Sequence, residues 1–227
     1  MKNWVIAIDG YSSTGKSSIS KIIAKKLGLI HLDTGALYRG TTYYALENCY
    51  ENQQINLQKL FSELGNFLLE FRNEDGEMIL YLDGKNISKE IREQRVSDNV
   101  SLIAKQKEIR DFLLSIQRNM AEKGGVIMDG RDIGTVILPN ADLKFFLTAS
   151  VDERAKRRFL ELQELGMDED LETVTQNLIS RDKTDSERAI APLKKAEDAI
   201  LIDNTNLNKQ QTIDEILLII ENFAKIK

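Results

Sequence analysis

The chain has 227 residues, 42% hydrophobic and 30% charged, with a net charge of −5. This composition is globular rather than disordered, large enough to bury a core, and argues against wholesale nucleic-acid binding or a polybasic membrane-binding surface. The single cysteine, Cys49, excludes an intramolecular disulfide and a cysteine-based zinc cluster.

Trp4–Asp9 reads as a buried strand. Asp9 ends this apolar run too early for a signal sequence, and the longest one near the C-terminus, Ile216–Ile220, is far short of the roughly twenty residues of a membrane span. A cytoplasmic protein with no membrane partner is expected. The strand runs into Gly10-Tyr11-Ser12-Ser13-Thr14-Gly15-Lys16-Ser17, which fits G-x-x-x-x-G-K-[ST] in full. A helix is expected from near Lys16, with an apolar stripe of Ile19, Ile22, Ile23 and Leu27. In such a loop the backbone N–H groups face phosphate oxygens, Lys16 reaches the β and γ phosphates of ATP, and Ser17 offers its hydroxyl to Mg²⁺. Ser18 starts the helix and can cap it or touch the α-phosphate. GTPases and motors share this loop, but the nearest match to a guanine-reading N-K-x-D, Asn208-Lys209-Gln210-Gln211, lacks the acid.

A second strand, Leu29–Asp33, leads into Asp33-Thr34-Gly35-Ala36-Leu37-Tyr38-Arg39 at the sheet edge that carries the loop. A helix cap with an exposed arginine is the plainer reading of that cluster. His31, inside the strand, reads as a core residue and receives no role. Phe67–Arg72 and Met78–Asp83 flank Asn73–Glu77, and further turns follow at Asp83-Gly84 and Asn86-Ile87-Ser88. These close alternations predict antiparallel hairpins, an insert taken as 61–99.

A helix striped by Ile109, Phe112, Leu113, Ile116 and Met120 precedes a third strand, Val126–Asp129. At its end lies Asp129-Gly130-Arg131-Asp132-Ile133-Gly134-Thr135, in which Asp129 can hold Mg²⁺ through water and Arg131 can clamp a phosphate. The alternative is an Asp–Arg pair that fixes a loop. After a fourth strand, Leu143–Leu147, the charged helical stretch 150–191 sits where a mobile lid belongs. Arg181, Asp185 and Arg188 share a helical face there, able to neutralise phosphoryl charge and hold a ribose hydroxyl, or to form a solvated surface. A fifth strand, Ile200–Asp203, and a helix bearing Ile213, Ile216, Leu217, Ile220 and Phe223 after a cap near Thr212 complete the chain. The expected fold is α/β: one P-loop domain over 1–227, with a five-stranded parallel sheet, helices on both faces, the antiparallel insert and a helical lid.

A site rich in arginine and poor in histidine suits an acceptor that is already an anion. A monophosphate has a second pKa of about 6 and needs no general base at neutral pH. Catalysis then reduces to positioning and charge neutralisation.

From Ile8-Asp9-Gly10 to Ile200–Asp203 the chain resembles the bacterial cytidylate kinases of the nucleoside monophosphate kinase family. Leu32–Arg39, Asp129–Val136 and Arg188-Ala189-Ile190-Ala191-Pro192-Leu193 carry the likeness, and the insert resembles that family's enlarged monophosphate-binding region. The resemblance implies transfer from ATP, with Mg²⁺, to CMP or dCMP as small-molecule partners. It implies Ser101 and Arg110 at the cytosine ring, Asp185 at the ribose, Arg39, Arg131, Arg181 and Arg188 around the phosphates, and Thr34 and Asp132 in the acceptor site. Thr34 stands where the family often carries serine. Arg157 is implied at the ATP side of the lid. Kinases for UMP, AMP or shikimate, and a regulatory P-loop nucleoside triphosphatase with a protein partner, are the rival readings. A monomer is expected.

Overall fold

The protein is described from a computed structural model that covers residues 3–164 and 166–226. The first strand, β1 (Val5–Gly10), carries Ile6, Ala7 and Ile8 fully buried, the continuous apolar run of a strand covered on both faces. Helix α1 (Lys16–Leu27) follows and ends at Gly28, whose N–H turns back to the Ala24 and Lys25 carbonyls. Next come β2 (Ile30–Asp33) and α2 (Thr34–Asn48), capped by the Asp33 side chain on the Ala36 N–H.

A two-stranded ribbon, β3 (Tyr50–Glu51) and β4 (Gln54–Ile55), was not anticipated. Its turn residues Asn52 and Gln53 both take positive φ, a tight hairpin turn made without glycine. After α3 (Leu57–Glu63), the expected hairpins form as β5 (Leu69–Glu74), β6 (Glu77–Leu82) and β7 (Lys85–Asn86), an antiparallel sheet turning at Asp75-Gly76 and Asp83-Gly84. Residues 61 and 99 fall inside α3 and the next helix, α4 (Gln94–Ala104). The face of this sheet bearing Leu69 and Leu80 closes on α2, where a Cβ on Gly40 would come within 2.9 Å of Leu80.

Helix α5 (Lys107–Ala121) leads to β8 (Val126–Gly130), and a π-helical turn at Ile133–Ile137 leads on to β9 (Leu143–Thr148). Helices α6 (Val151–Glu164) and α7 (Leu171–Glu187) pack on each other through Ala155, Leu162, Val174 and Leu178, a small core separate from that under the sheet. The chain closes with β10 (Ile200–Asp203) and α8 (Lys209–Ile226). The α8 cap lies at Asn208, not near Thr212. Asn208 and Gln211 exchange side-chain-to-backbone hydrogen bonds at 2.9 Å, a reciprocal capping box that moves the helix start one turn earlier.

The five core strands form a parallel sheet in the order β10-β9-β1-β8-β2. Alternate side chains serve opposite faces. Ile6, Ile8, Ile127 and Phe145 meet α1 and α8, while Ala7, Leu32 and Met128 meet α5 and the π-helical turn. All C-terminal strand ends lie on one edge, with β1 in the middle. Among the described residues no helix is long and apolar enough to cross a membrane.

Candidate active site

The loop after β1 is shaped by a glycine that nothing can replace. Gly10 has φ +147°, and a Cβ there would sit 2.0 Å from the Leu147 carbonyl oxygen of the neighbouring strand. Gly15 takes φ +86° at the start of α1, so the loop turns directly into the helix N-terminus. Inside the loop, Thr14 donates to the Tyr11 carbonyl at 3.1 Å, Ser18 donates to Gly15 at 3.0 Å, and Ser13 adopts φ +59°. The Lys16 side chain is buried, with Nζ donating to the Tyr11 carbonyl at 2.6 Å. The carboxylate of Asp9, below the loop, accepts from the Ile133 and Gly134 N–H groups at 2.8 Å each and so joins β1 to the π-helical turn. Burial raises Asp9 from the ordinary 3.8 to about 6.

The end of β8 brings Asp129 to the first turn of α1, where Ser17 Oγ donates to Asp129 Oδ2 at 2.6 Å. Thr34 Oγ1 donates to the Asp129 carbonyl at 2.8 Å, and Arg39 is paired with Asp33 at 2.6 Å. The donors offered by Ser17 and Asp129 are oxygens, as Mg²⁺ prefers. Among the described residues no cluster of three or more His, Cys, Asp or Glu side chains could cage a metal ion.

Arg131, just past β8, joins the loop to α7: Nη2 donates to Ser12 Oγ at 2.8 Å and Nε to Asp185 Oδ2 at 3.0 Å. Arg181 and Asp185 lie one turn apart on α7, whereas Arg188 is the residue beyond the helix end. The three therefore converge without sharing a helical face. Arg188 donates to Asp132 Oδ1 at 3.0 Å and to the Ala191 carbonyl at 2.6 Å, and Ala191 takes φ +48° where it presents that carbonyl. Asp132 Oδ2 receives Arg110, so one carboxylate, 4% exposed, holds two buried arginines. Arg110 also donates to the Ala104 carbonyl at 3.1 Å and lies 5.4 Å from the Tyr38 ring centre. Ser101 sits half-buried on α4, one turn before Ala104, so the expected base-reading pair comes from two helices.

The cations nearest the loop are underpaired. Burial, and then the Arg131 guanidinium, push the Lys16 ammonium well below the ordinary lysine value. Burial and Arg131 lower Arg181 from 12.5 to about 10, and its Nε is sealed from solvent with no hydrogen-bond partner among the described residues. Like charges gathered in a low-dielectric setting cost stability that a bound anion would offset.

Several residues at this edge of the sheet have partners that the sequence does not indicate. Arg154 reaches from α6 to the Ser12 carbonyl at 3.2 Å and to Asp182 at 2.5 Å, while Asp182 also faces the Ser12 N–H at 3.5 Å. Arg157, the lid arginine singled out beforehand, donates to the Asn204 and Leu207 carbonyls at 2.8 and 3.3 Å. Asn204 in turn donates to the Thr14 carbonyl at 2.9 Å, which places Arg157 behind the loop. His31 contacts Asp129 Oδ1 at 2.6 Å. Signals existed for some of these. Asn204 follows a strand at the ligand-binding edge, and Asp182 adjoins Arg181. Arg154 could not be told from its basic neighbours by residue type.

A protein-family model described as cytidylate kinase matches residues 6–222. A cytidylate kinase of Bacillus cereus (strain ATCC 10987 / NRS 248) is 43% identical over 221 residues, covering 97% of each chain. A cytidylate kinase of Geobacillus sp. (strain WCH70) is 46% identical over 218 residues, covering 95% of each. Among solved structures, an uncharacterized protein from Eubacterium ventriosum aligns with a TM-score of 0.51 at 14% identity, over 97% of this chain and 99% of that one, a likeness of fold alone. With a family match that runs from β1 into α8, the chain belongs to the cytidylate kinase family.

Proposed function

We propose that the chain transfers the γ-phosphoryl group of ATP to CMP or dCMP, giving ADP and CDP or dCDP, in pyrimidine nucleotide metabolism. The observation that carries this reading is the underpaired pair of cations Lys16 and Arg181, gathered with the Asp185-bound Arg131 between the loop and α7. Its charge fits a phosphoryl group in transfer, whose equatorial oxygens bear the developing charge. Family membership narrows the acceptor to cytidylate.

The loop 10–18 is assigned to the ATP phosphates, with Arg157 bracing the 204–207 segment beside it. Ser17, and Asp129 through water, would hold Mg²⁺, which would supply charge neutralisation on the nucleotide. Arg39, Arg131, Arg181 and Arg188 are assigned to the phosphates, Asp185 to the ribose, and Ser101 with Arg110 to the cytosine edge. Asp132 orients Arg110 and Arg188, and Thr34 fixes the Asp129 backbone while its oxygen stays free to accept. The antiparallel insert is assigned to closing over the monophosphate and α6–α7 to excluding water, so that ATP is not hydrolysed without an acceptor. No general base is needed. The protein is assigned to the cytoplasm and is expected to act as a monomer.

The decisive experiment offers ATP and Mg²⁺ with CMP, dCMP, UMP, AMP and shikimate and follows ADP formation. CMP and dCMP should be the best acceptors by kcat/KM. A better rate with any other acceptor, or acceptor-independent hydrolysis, would refute the assignment.

A further inference from the structure

His31 is the chain's one histidine, and the transfer described above does not use it. It stands two residues before Asp33 on β2, so both side chains leave the strand on the same face. On the paired strand β8, Met128 joins Leu32 in the core of the opposite face, while Ile127 packs with Ile19 and Ile23 of α1. His31, Asp33 and Asp129 therefore share the α1 face, at the end of the sheet where Ser17 begins its helix.

There the Asp129 carboxylate is gripped from both sides. Ser17 Oγ donates to Oδ2 at 2.6 Å, and His31 Nε2 lies 2.6 Å from Oδ1. A carboxylate accepts and does not donate, so Nε2 carries the hydrogen. The terminal torsion of an aspartate is otherwise broad and roughly two-fold. Donors on separate elements fix it, and the Thr34 hydroxyl on the Asp129 carbonyl fixes the backbone beneath. The Asp129 side chain is 3% exposed and that of His31 17%, so little water competes for either oxygen. An apolar ring would fill this space equally well; contact with a carboxylate oxygen calls for a donor.

We propose that His31 is a positioning residue for the divalent-cation corner of the nucleotide site. By occupying Asp129 Oδ1 it keeps Oδ2 aimed at Ser17, which sets the Ser17 oxygen and the Asp129 carboxylate for a metal ion that arrives with the nucleotide. The inference rests on Ser17 and Asp129 facing that ion. Outer partners of this kind commonly change metal affinity about 10–100-fold when removed.

The test is a titration of Mn²⁺ into the full chain saturated with ADP, read by the electron paramagnetic resonance of the free ion, with no acceptor present. His31→Phe keeps a ring and removes the donor, whereas His31→Gln returns an N–H near the reach of Nε2. The Mn²⁺ Kd should rise at least about tenfold in H31F and return to within about threefold of the parent in H31Q. ADP affinity in the presence of a chelator should be unchanged in both. An unchanged Mn²⁺ affinity in H31F overturns the proposal. So does a parallel loss of metal-free ADP affinity, because His31 would then shape the loop itself. Should H31F fail to fold, His31→Asn, whose amide is too short to reach Oδ1, takes its place against H31Q with the same outcomes. A protein that binds Mn²⁺ as expected yet fails to phosphorylate CMP would refute the assigned reaction and leave this inference standing.

Discussion

Arg181→Met should make the ligand-free protein more stable and nearly inactive. The guanidinium of Arg181 is held from 12.5 down to about 10 by burial and by Arg131, and its Nε has no hydrogen-bond partner among the described residues. At about 1.4 kcal/mol per pKa unit, that fall is roughly 3 kcal/mol of charging cost in the folded chain. The arginine is charged in both folded and unfolded states at neutral pH, so the cost acts there in full and is relieved only as pH approaches about 10. The residue keeps some access to solvent, which reduces the recoverable part to about 1–2 kcal/mol. Methionine is close in length and carries no charge, so it should recover that amount while leaving the lid packed. Removing an arginine that neutralises transferring phosphoryl charge should cost about 10³-fold or more in kcat. Urea unfolding without ligand gives the first quantity and ADP formation with ATP and CMP the second. Inorganic phosphate should stabilise the parent more than the variant. A variant less stable than the parent, with an unchanged response to phosphate, would mean that Arg181 is a structural residue and that the cation cluster is not built for an anion.

Gly10→Ala places a Cβ 2.0 Å from the Leu147 carbonyl at φ +147° and should cost at least about 2 kcal/mol of stability together with ATP binding, checked by urea unfolding and calorimetry; a stable, ATP-binding variant would refute the loop geometry. Asp132→Asn strips the charge that holds Arg110 and Arg188, and should destabilise by about 3–5 kcal/mol in the same unfolding assay while weakening discrimination of CMP from UMP. Asp9, raised from 3.8 to about 6, holds its proton more tightly when folded, so its contribution is full at low pH and is lost as pH rises through about 6. The stability of the parent relative to Asp9→Asn should therefore fall by up to about 3 kcal/mol between about pH 4 and about pH 7, and a flat difference would contradict the burial effect.

The core was legible because its strands are buried on both faces and are short apolar runs ended by Asp or Gly, such as Val126–Gly130. The site residues at the β1, β2 and β8 ends were legible for a related reason. A parallel sheet sends all its strand ends to one edge, so order along the chain becomes nearness in space. Long-range side-chain pairing was not legible. Nothing in the spacing tells which of Arg154, Arg157 and Arg158 turns inward, because helix rotation decides that, and rotation is set by the packing of Ala155 and Leu162 on α7. The β3–β4 ribbon escaped because Asn52-Gln53 makes a turn that usually advertises itself with glycine. His31 escaped because a lone histidine in a strand is usually core, and its partner lies 98 positions away.

The arginines and lysine of the site fall into two physical kinds. Arg39, Arg110, Arg131 and Arg188 each have a carboxylate, on Asp33, Asp132 or Asp185, that fixes the direction of the guanidinium. Among the described residues, Lys16 hydrogen-bonds to a backbone carbonyl and to no carboxylate, and the Arg181 Nε has no partner. The first kind is oriented before any ligand arrives, so little ordering entropy is lost on binding, but part of its charge is already spent on its acids. The second kind is the main source of unneutralised field. A chain with a net charge of −5 can therefore still concentrate positive potential at one edge of its sheet, because acids nearby are used to aim cations rather than to cancel all of them. On the proposed roles, the aimed arginines serve the base edge and the bound phosphates, while the unneutralised charge for the transferring phosphoryl group comes from Lys16 and Arg181. It follows that substitutions at Asp132 should lower stability and selectivity together, whereas substitutions at Lys16 or Arg181 should act most strongly on turnover without loss of stability.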